Sequence, residues 1–149
     1  MKTQTIIKIW ARAKIMRPIL VKYLEKKTIY MPKSVEVGRN VEFVHNAPGL
    51  VIHPNTTIGD EVKIYQGVTI GRADIYDDYE KSAMGKIEIR DYAIICAGAK
   101  ILAKEGDLII GKNAVIGANA VLLCSVGDNE VWAGVPARKI GMNNRKEKQ

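Results

Sequence analysis

The sequence predicts an all-β solenoid built from hexapeptide repeats and preceded by a short helical segment. The first observation behind this prediction is a period of six, because an isoleucine or leucine recurs at every sixth position. The recurring positions form three series (Ile52, Ile58, Ile64, Ile70; Ile89, Ile95, Ile101; Ile110, Ile116, Leu122). A period of six fits neither an α-helix nor simple strand alternation and indicates a repeat architecture. Each hexad is then one short strand and one corner, and three hexads close a triangular coil.

The second observation is that small or β-branched residues occupy a fixed place in each hexad. They follow most of the large apolar residues by four positions (Thr56, Val62, Val68, Ala93, Ala99, Ala114, Ala120, Val126). Glycine follows several of the same residues directly (Gly59, Gly71, Gly111, Gly117). A small side chain fits a crowded corner, and glycine adopts backbone conformations that a Cβ disfavours. The 149 residues suffice for one domain of about five coils.

The repeat pattern divides the chain into three segments. Residues 28–141 form the β-helix domain, residues 1–27 precede it as a basic amphipathic helical segment, and residues 142–149 follow as a charged tail. Within the first segment, Pro18 starts a second short helix or kinks the first. This segment can cap the open end of the first coil or lie on an anionic membrane surface, and the two interpretations are compatible.

The hexad pattern is interrupted at two places that bear on function. Residues 43–49 break the phase of the first coils, and residues 72–86 are predicted to form an acidic, tyrosine-containing loop extruded from a corner. A loop of this length on a rigid scaffold is more often a binding element than an idle connection. Both interruptions are therefore candidate functional regions.

Composition excludes several classes of protein. No apolar run reaches the ~18 residues of a transmembrane helix, and the N-terminus lacks the features of a signal peptide. Cys96 and Cys124 have no metal-ligand spacing around them and are predicted to be buried free thiols of a reduced, cytoplasmic protein. Nucleic-acid binding is rejected, because the basic residues are terminal and no aromatic platform accompanies them.

The chain has only two histidines, His45 and His53. A histidine in a packed coil usually has a structural role, but His45 lies at a phase break beside Asn46, Pro48 and Gly49. Imidazole is the side chain whose ordinary pKa suits a general base near neutral pH. His45 is therefore the leading candidate for chemistry, whereas His53 is interpreted as a corner residue without a role or as a second polar group near a substrate.

Several strings together resemble the hexapeptide-repeat acyltransferases, in the branch of the serine acetyltransferases. The string 43–52 around His45 matches the place of the catalytic histidine in that family. Four further strings follow in the family's order and near its spacing (Ile64–Gly71, Ala97–Lys100, Ile116–Asn119, Gly134–Arg138). The resemblance covers about residues 30–141 and implies a left-handed parallel β-helix, although the general rule for parallel crossovers favours the right hand.

The resemblance also implies an activity and a set of site residues. It implies an acetyl-CoA-dependent O-acetyltransferase in which His45 is the general base, with Asn46 and Gln66 as candidates to stabilise the oxyanion. The pantetheine arm of the donor would lie along small corner residues, and two cations are candidate phosphate partners. These donor-binding residues are Ala97, Gly98 and Ala118 for the arm, and Lys100 and Arg138 for the phosphates. The resemblance further implies a homotrimer with active sites between subunits.

Three departures from the serine acetyltransferase pattern narrow the predicted acceptor. Two positions where the family carries aspartates are Ile29 and Val44, and a position where it carries a further histidine is Lys86. Without those carboxylates, the ammonium group of serine has no evident partner. The shorter relatives that O-acetylate sugars, particularly bacterial capsular or exopolysaccharide units, are therefore the predicted class. Loop 72–86 would then be the wall for a carbohydrate acceptor.

Several alternatives remain open on the sequence. They are serine O-acetylation, N-acetylation of an amino sugar nucleotide, and a non-catalytic β-helix that acts as a scaffold. No metal is predicted, since the zinc-dependent carbonic anhydrases built on the same β-helix need three histidines. The predicted location is the cytoplasm, with peripheral contact at the inner face of the membrane if residues 1–27 bind anionic lipid.

Overall fold

The structure, a computed structural model, describes residues 2–144 and is dominated by short parallel strands. In chain order the strands are β1 (Glu36–Val37), β2 (Glu42–Phe43), β3 (Val51–Ile52), β4 (Thr56–Ile58), β5 (Lys63–Ile64), β6 (Thr69–Arg72), β7 (Met84–Ile89), β8 (Ile94–Ile95), β9 (Lys100–Ala103), β10 (Gly106–Ile110), β11 (Val115–Ile116), β12 (Val121–Leu122), β13 (Glu130–Gly134) and β14 (Ala137–Met142).

These strands form three sheets, which are the three faces of a triangular prism. The first face has the order β1-β4-β7-β10, the second β2-β5-β8-β11-β13-β14, and the third β3-β6-β9-β12. All neighbours are parallel except the final pair, β13 and β14. Each coil therefore contributes one strand to each face in turn, which confirms the predicted left-handed parallel β-helix with a short N-terminal helical segment.

The isoleucines of the hexads form the core because equivalent residues of successive coils lie directly above one another. Ile64 pairs with Ile95, and Ile95 with Ile116, along the second face. All three side chains are fully buried. A strand with one inward and one outward residue can bury only the inward one, so stacking coils is what removes the apolar side chains from water.

Two helices close the first coil. Helix α1 (Thr3–Arg12) and helix α2 (Arg17–Glu25) are joined by a 3₁₀ turn at Lys14–Met16. Pro18 lies in the first turn of α2, where its missing N–H costs no hydrogen bond. The apolar face of α1 is buried in the same core as the hexad isoleucines, and Trp10 also donates its indole N–H to the carbonyl of Val35 at 3.0 Å.

Polar side chains fasten this cap to the coil. The Gln4 amide donates to the Val41 carbonyl at 2.6 Å and accepts the Phe43 N–H at 3.2 Å, so it pairs the open edge of β2 as another strand would. The buried Arg17 guanidinium makes two hydrogen bonds to the Glu36 carboxylate, at 3.2 and 3.0 Å. These contacts give the helical segment a fixed position on the first coil.

At the other end, β13 and β14 form an antiparallel hairpin that extends the second face. Trp132 of β13 packs partly against the core, and Glu130 accepts hydrogen bonds from the Trp132 indole at 2.9 Å and from Lys139 at 2.8 Å. Strand β14 continues through Met142, one residue into the segment predicted to be a tail. Residues 145–149 of that tail lie outside the described residues.

The extruded loop is shorter at both ends than predicted. Arg72 belongs to β6 and residues 84–86 belong to β7, so the segment outside strands is 73–83. The strands extend because the next coil carries a small insertion at the same corner. Its residues supply partners, since Arg72 pairs with Ala103 and Met84 with Gly106.

The prediction that both cysteines are buried is not confirmed for either of them. Cys96 is half-buried, and burial raises the pKa of its thiol, whereas Cys124 is exposed at a corner. Among the described residues, no helix combines the length and apolarity needed to cross a bilayer.

Candidate active site

The corner between the second and third faces, hereafter corner II, is where most of the predicted site residues meet. At one level of each coil, the backbone adopts a left-handed conformation with positive φ (Gly49 at 74°, Gly67 at 69°, Gly98 at 72°, Asn119 at 55°). Hydrogen bonds of 2.9 Å join successive corners, for example from the Gly67 N–H to the Pro48 carbonyl and from the Gly98 N–H to the Gln66 carbonyl. The corner is therefore a regular column that runs along the prism.

The side chains of this column are small through most of its length. Pro48, Gln66, Ala97 and Ala118 precede the four left-handed residues in successive coils. Since adjacent parallel strands lie about 4.8 Å apart, these four levels span about 14 Å. Ala97, Gly98 and Ala118, which were predicted to lie along the donor, are thus brought together on one open strip.

His45 lies at the N-terminal end of this column, in a three-residue insertion between Val44 and Pro48. Three consecutive non-glycine residues are left-handed there, His45 (φ 54°), Asn46 (φ 62°) and Ala47 (φ 41°). Such a run costs free energy and persists only where the surrounding structure holds it. Ala47 is fully buried and accepts a hydrogen bond from the Leu50 N–H at 3.2 Å. The buried Ala47 thus holds the turn that projects His45 and Asn46 into solvent.

The imidazole of His45 borders a shallow groove. Its ring centre lies 6.0 Å from that of Tyr65, tilted by 55°. The groove continues along the N-terminal cap past Gln4, Lys8 and Glu42. Within residues 2–144, no hydrogen bond to either ring nitrogen of His45 is found, so both remain accessible to a ligand. The sequence did not predict a role for Tyr65, although this residue directly precedes Gln66 in the string Ile64–Gly71.

The two candidate oxyanion residues differ in setting. Asn46 is exposed beside His45, whereas Gln66 is half-buried and follows Tyr65 directly. The side-chain oxygen of Gln66 is buried and lacks a hydrogen-bond partner in the described part of the chain. A buried amide oxygen without a hydrogen-bond partner is rare and calls for an explanation. A bound ligand that donates a hydrogen bond to this oxygen would provide one.

The ammonium group of Lys100, predicted to be a phosphate partner, is engaged by backbone carbonyls of the protein itself. Its ammonium donates to the carbonyls of Gly67, at 2.8 Å, and Gly98, at 3.0 Å. The side chain therefore ties two levels of corner II together. Arg138 lies at the other end of the prism, in β14, where it is exposed and donates to the neighbouring Ala137 carbonyl at 2.9 Å.

None of the three positions at which this chain departs from the family pattern carries an acidic residue. Ile29 is buried in the core, and Val44 is a half-buried apolar residue next to His45. Lys86 pairs with Glu88 at 3.0 Å on the first face. Glu42 lines the His45 groove, but its carboxylate forms an ion pair with Lys63 at 3.1 Å.

A second polar cluster lies at the base of loop 73–83, at the corner between the third and first faces (corner III). The ring of His53 stacks on Tyr79 with centres 5.9 Å apart, and its Nδ1 accepts the Asn55 N–H at 3.1 Å. Burial lowers the pKa of His53, and the positive charge of Arg72 lowers it further while Asp74 opposes them, so the neutral imidazole is favoured. His53 thus contacts the loop, and its tyrosine partner could not be identified from sequence spacing.

Ionic contacts fold this loop back on itself. The carboxylate of Asp74 is buried, accepts the Ser82 hydroxyl at 2.7 Å and lies 3.5 Å from the Arg72 guanidinium. Loop residues beyond this base are exposed and mix charged side chains with apolar and aromatic ones, which include Ile75 at 77% and Tyr76 at 73%. Throughout residues 2–144 there is no group of three or more histidine, cysteine or acidic side chains arranged to hold a metal ion.

Comparison with known proteins identifies relatives of this fold and site. The serine acetyltransferase of Bacillus pumilus is 36% identical over 113 residues, which are 76% of this chain and 48% of that protein. The serine acetyltransferase of Mycobacterium tuberculosis is 39% identical over 107 residues, which are 72% of this chain and 43% of that protein. The chain therefore spans about half the length of the curated relatives that it matches.

A solved serine acetyltransferase in complex with CoA superposes with a TM-score of 0.70 and 30% identity, over 93% of this chain and 54% of that one. No family model matches the sequence. These likenesses support the predicted acyltransferase relationship, but they do not support the narrower prediction of a sugar or capsular branch. The chain is therefore a hexapeptide-repeat β-helix protein related to the serine acetyltransferases.

Proposed function

We propose that this chain is an acetyl-CoA-dependent O-acetyltransferase with His45 as its general base. The observation that carries the proposal is the position of His45, an exposed imidazole at the end of an open column of small residues in a relative of the serine acetyltransferases. The strained turn that carries His45 also argues against a non-catalytic scaffold, because a purely structural corner has no need of such a turn.

In the proposed reaction, a ring nitrogen of His45 removes the proton of the acceptor hydroxyl as its oxygen attacks the thioester carbon. The tetrahedral intermediate then collapses with cleavage of the carbon–sulfur bond, and the imidazolium returns the proton to the leaving thiolate. General base catalysis of this kind contributes about a hundredfold or more to the rate. Gln66 and Asn46 carry amide groups that can donate hydrogen bonds to the oxyanion.

The acyl donor is proposed to lie along corner II. Ala97, Gly98 and Ala118 present no side chain beyond a methyl group, so an extended pantetheine arm fits against them. Lys100 is assigned a supporting role, because its ammonium is engaged by two backbone carbonyls. Arg138 keeps the proposed role of phosphate partner at the far end of the prism, where it is exposed.

Serine is the first proposed acceptor, because the named relatives are serine acetyltransferases at 36–39% identity. One observation favours a second candidate, a sugar hydroxyl. Ile29 and Val44 leave no carboxylate beside His45 to bind the ammonium group of serine. Loop 73–83 offers the ring of Tyr76, which is 73% exposed, as a face on which a sugar can stack, whereas Tyr79 already stacks on His53.

A homotrimer in the cytoplasm is proposed as the working state. Its support is apolar surface on the third face, where Tyr30 is 51% and Val51 is 40% exposed and the two pair as neighbours. A second subunit packed against this face would cover these residues and enclose the groove beside corner II. The mass in solution, measured by light scattering after gel filtration, tests this state directly.

The first experiment measures CoA thiol release from acetyl-CoA with serine, amino sugar nucleotides and capsular oligosaccharides as acceptors. It compares the wild type with a variant that lacks residues 74–83. We expect turnover with serine, with a saccharide in second place. In the deletion variant the KM for the acceptor should rise about tenfold or more, because loop 73–83 at corner III would border the site between subunits of the proposed homotrimer. Affinity for acetyl-CoA, proposed to lie along corner II, should stay unchanged.

The possible outcomes separate the proposals. Turnover of a saccharide but not of serine would make the sugar the acceptor, and acetylation only of an amino sugar nucleotide would replace O-transfer with N-transfer. Loss of acceptor and donor binding together in the deletion variant would contradict the assignment of the loop to the acceptor. A wild-type protein that fails to bind acetyl-CoA at all would be a scaffold.

A further inference from the structure

The N-terminal cap carries an exposed surface that the proposed reaction does not use. Three apolar side chains at the turn between the two helices point away from the β-helix: Ile15 is 91% exposed, Ile19 68% and Met16 41%. Lysines stand beside them, since Lys22 and Lys26 share a shallow groove on α2 with Ile19. Ile15, Met16, Ile19, Lys22 and Lys26 are called the helix-turn surface below.

This exposure is not the result of poor packing, because the segment is well packed on its other side. The opposite side of the same helices is buried in the core through Ile6, Trp10 and Leu24. Arg17 fixes the turn itself, because its buried guanidinium also donates to the Trp10 carbonyl at 3.4 Å and to the Lys33 carbonyl at 3.2 Å. The helix-turn surface is thus held outward on a rigid support, and its apolar side chains have no place in the core.

The charge of the chain is concentrated on this segment. Residues 1–27 contain eight lysines and arginines and the single acid Glu25. The net charge of this segment is therefore +7, which equals that of the whole sequence. All of these cations except Arg17 are exposed. Of the exposed ones, Lys14 lies 3.2 Å from an acid, Glu36. A partner for this surface must therefore be anionic and must also accept isolated aliphatic side chains.

We propose that the helix-turn surface docks on an anionic phospholipid bilayer. Isoleucines flanked by lysines match the interfacial zone, in which apolar side chains enter the acyl boundary while cations contact the headgroups. Each lysine or arginine near such a surface strengthens binding by about fivefold. Docking in this way brings the first coil towards the membrane, and with it the His45 groove, which Gln4 and Lys8 of α1 line.

The test is co-sedimentation of the full chain with vesicles of phosphatidylcholine alone or of phosphatidylcholine and phosphatidylserine in equal parts. We expect binding only to the anionic vesicles, with loss at high salt because the charges are screened. Ile15→Ser with Ile19→Ser, and separately Lys22→Gln with Lys26→Gln, should each weaken binding by about tenfold or more. The matched control removes two exposed cations elsewhere, with Lys104→Gln and Lys112→Gln, and should bind like the wild type.

Several results would overturn the proposal. Equal binding to both kinds of vesicle, or equal weakening in the control pair, would mean that the helix-turn surface is not a specific anionic docking site. A change in solution mass caused by the isoleucine pair, with vesicle binding unaltered, would identify a contact between copies of the chain instead. Because all substituted side chains are exposed, circular dichroism should confirm an unchanged fold in every variant.

Discussion

Corner II and the corner between the first and second faces, corner I, solve the same backbone problem in different ways. Each turns the chain through a left-handed residue at one level of every coil. Corner II uses glycine in three coils, whereas corner I uses only residues with side chains. Those of corner I are Asn40, Glu61, Tyr92, Asn113 and Asn129, with φ between 53° and 61°.

The side chains of corner I make hydrogen bonds from coil to coil. The Asn40 amide donates to the Glu61 carboxylate at 2.6 Å, and the Asn113 amide donates to Asn129 at 2.8 Å. Asp60 accepts the Arg39 N–H at 2.7 Å, and Asp128 accepts the Lys112 N–H in the same way. Corner I is therefore closed by its own polar groups.

The comparison shows which feature of a repeat marks a candidate site. A left-handed corner costs less with glycine, yet corner I shows that this protein tolerates asparagine, glutamate and tyrosine in the same conformation. The glycines of corner II are then best explained by the space they leave, since side chains there would fill the strip below His45. Three variants, in order of decreasing expected effect, test this explanation.

The largest effect is expected from His45→Asn. Asparagine tolerates the left-handed backbone but cannot act as a base at neutral pH, so kcat should fall about a hundredfold or more with the melting temperature unchanged. The matched control is Tyr92→Asn, which removes a ring from the same conformation in corner I and should leave kcat unaltered. Steady-state kinetics on both variants make the comparison, and equal losses of kcat would argue against His45 as the base.

An intermediate effect is expected from Gly67→Ala. Because φ is 69° at Gly67, the added Cβ should cost about 1–2 kcal/mol of stability. It should also raise the KM for acetyl-CoA, because the methyl group enters the proposed donor strip. The control Glu61→Ala keeps a Cβ in the same conformation at corner I and should leave that KM unchanged. Urea unfolding and donor titration check both effects, and an unchanged KM in Gly67→Ala would place the donor elsewhere.

The smallest effect is expected from Asp60→Asn at corner I. The Arg39 guanidinium, and then the Arg39 N–H, lower the pKa of Asp60 below its ordinary value of 3.8. A lowered pKa in the folded state stabilises the protein above pH 4, and this stabilisation is lost as the pH falls through the lowered value. Asp60→Asn should therefore be slightly less stable than the wild type at pH 7, and the difference should disappear as the pH falls through the lowered pKa. A difference that persists unchanged in acid would mean that the ionised carboxylate is not responsible.

Much of the candidate site could be predicted because it follows from position within the hexads. The phase break at residues 43–49 predicted that His45 leaves the regular coil, and the small residues Ala97, Gly98 and Ala118 predicted an open corner. The contacts of the long side chains could not be predicted. Lys100 donates to the carbonyls of Gly67 and Gly98, and the buried Arg17 donates to Glu36. The bonds to Gly67 and Glu36 join residues that are distant in the sequence, so no local pattern indicates them.

The sequence alone determined the β-helix, its segments and the residue that stands out from it. The physical reason is that the period of six is local, so each hexad specifies its own strand, corner and inward side chain. The tertiary structure decided which corners stack, how long the strands beside loop 73–83 become, and where the cap exposes Ile15 and Ile19. The first two features depend on pairing between coils, such as Arg72 with Ala103, and the third depends on the contacts of Arg17 that fix the cap. No local pattern encodes these contacts.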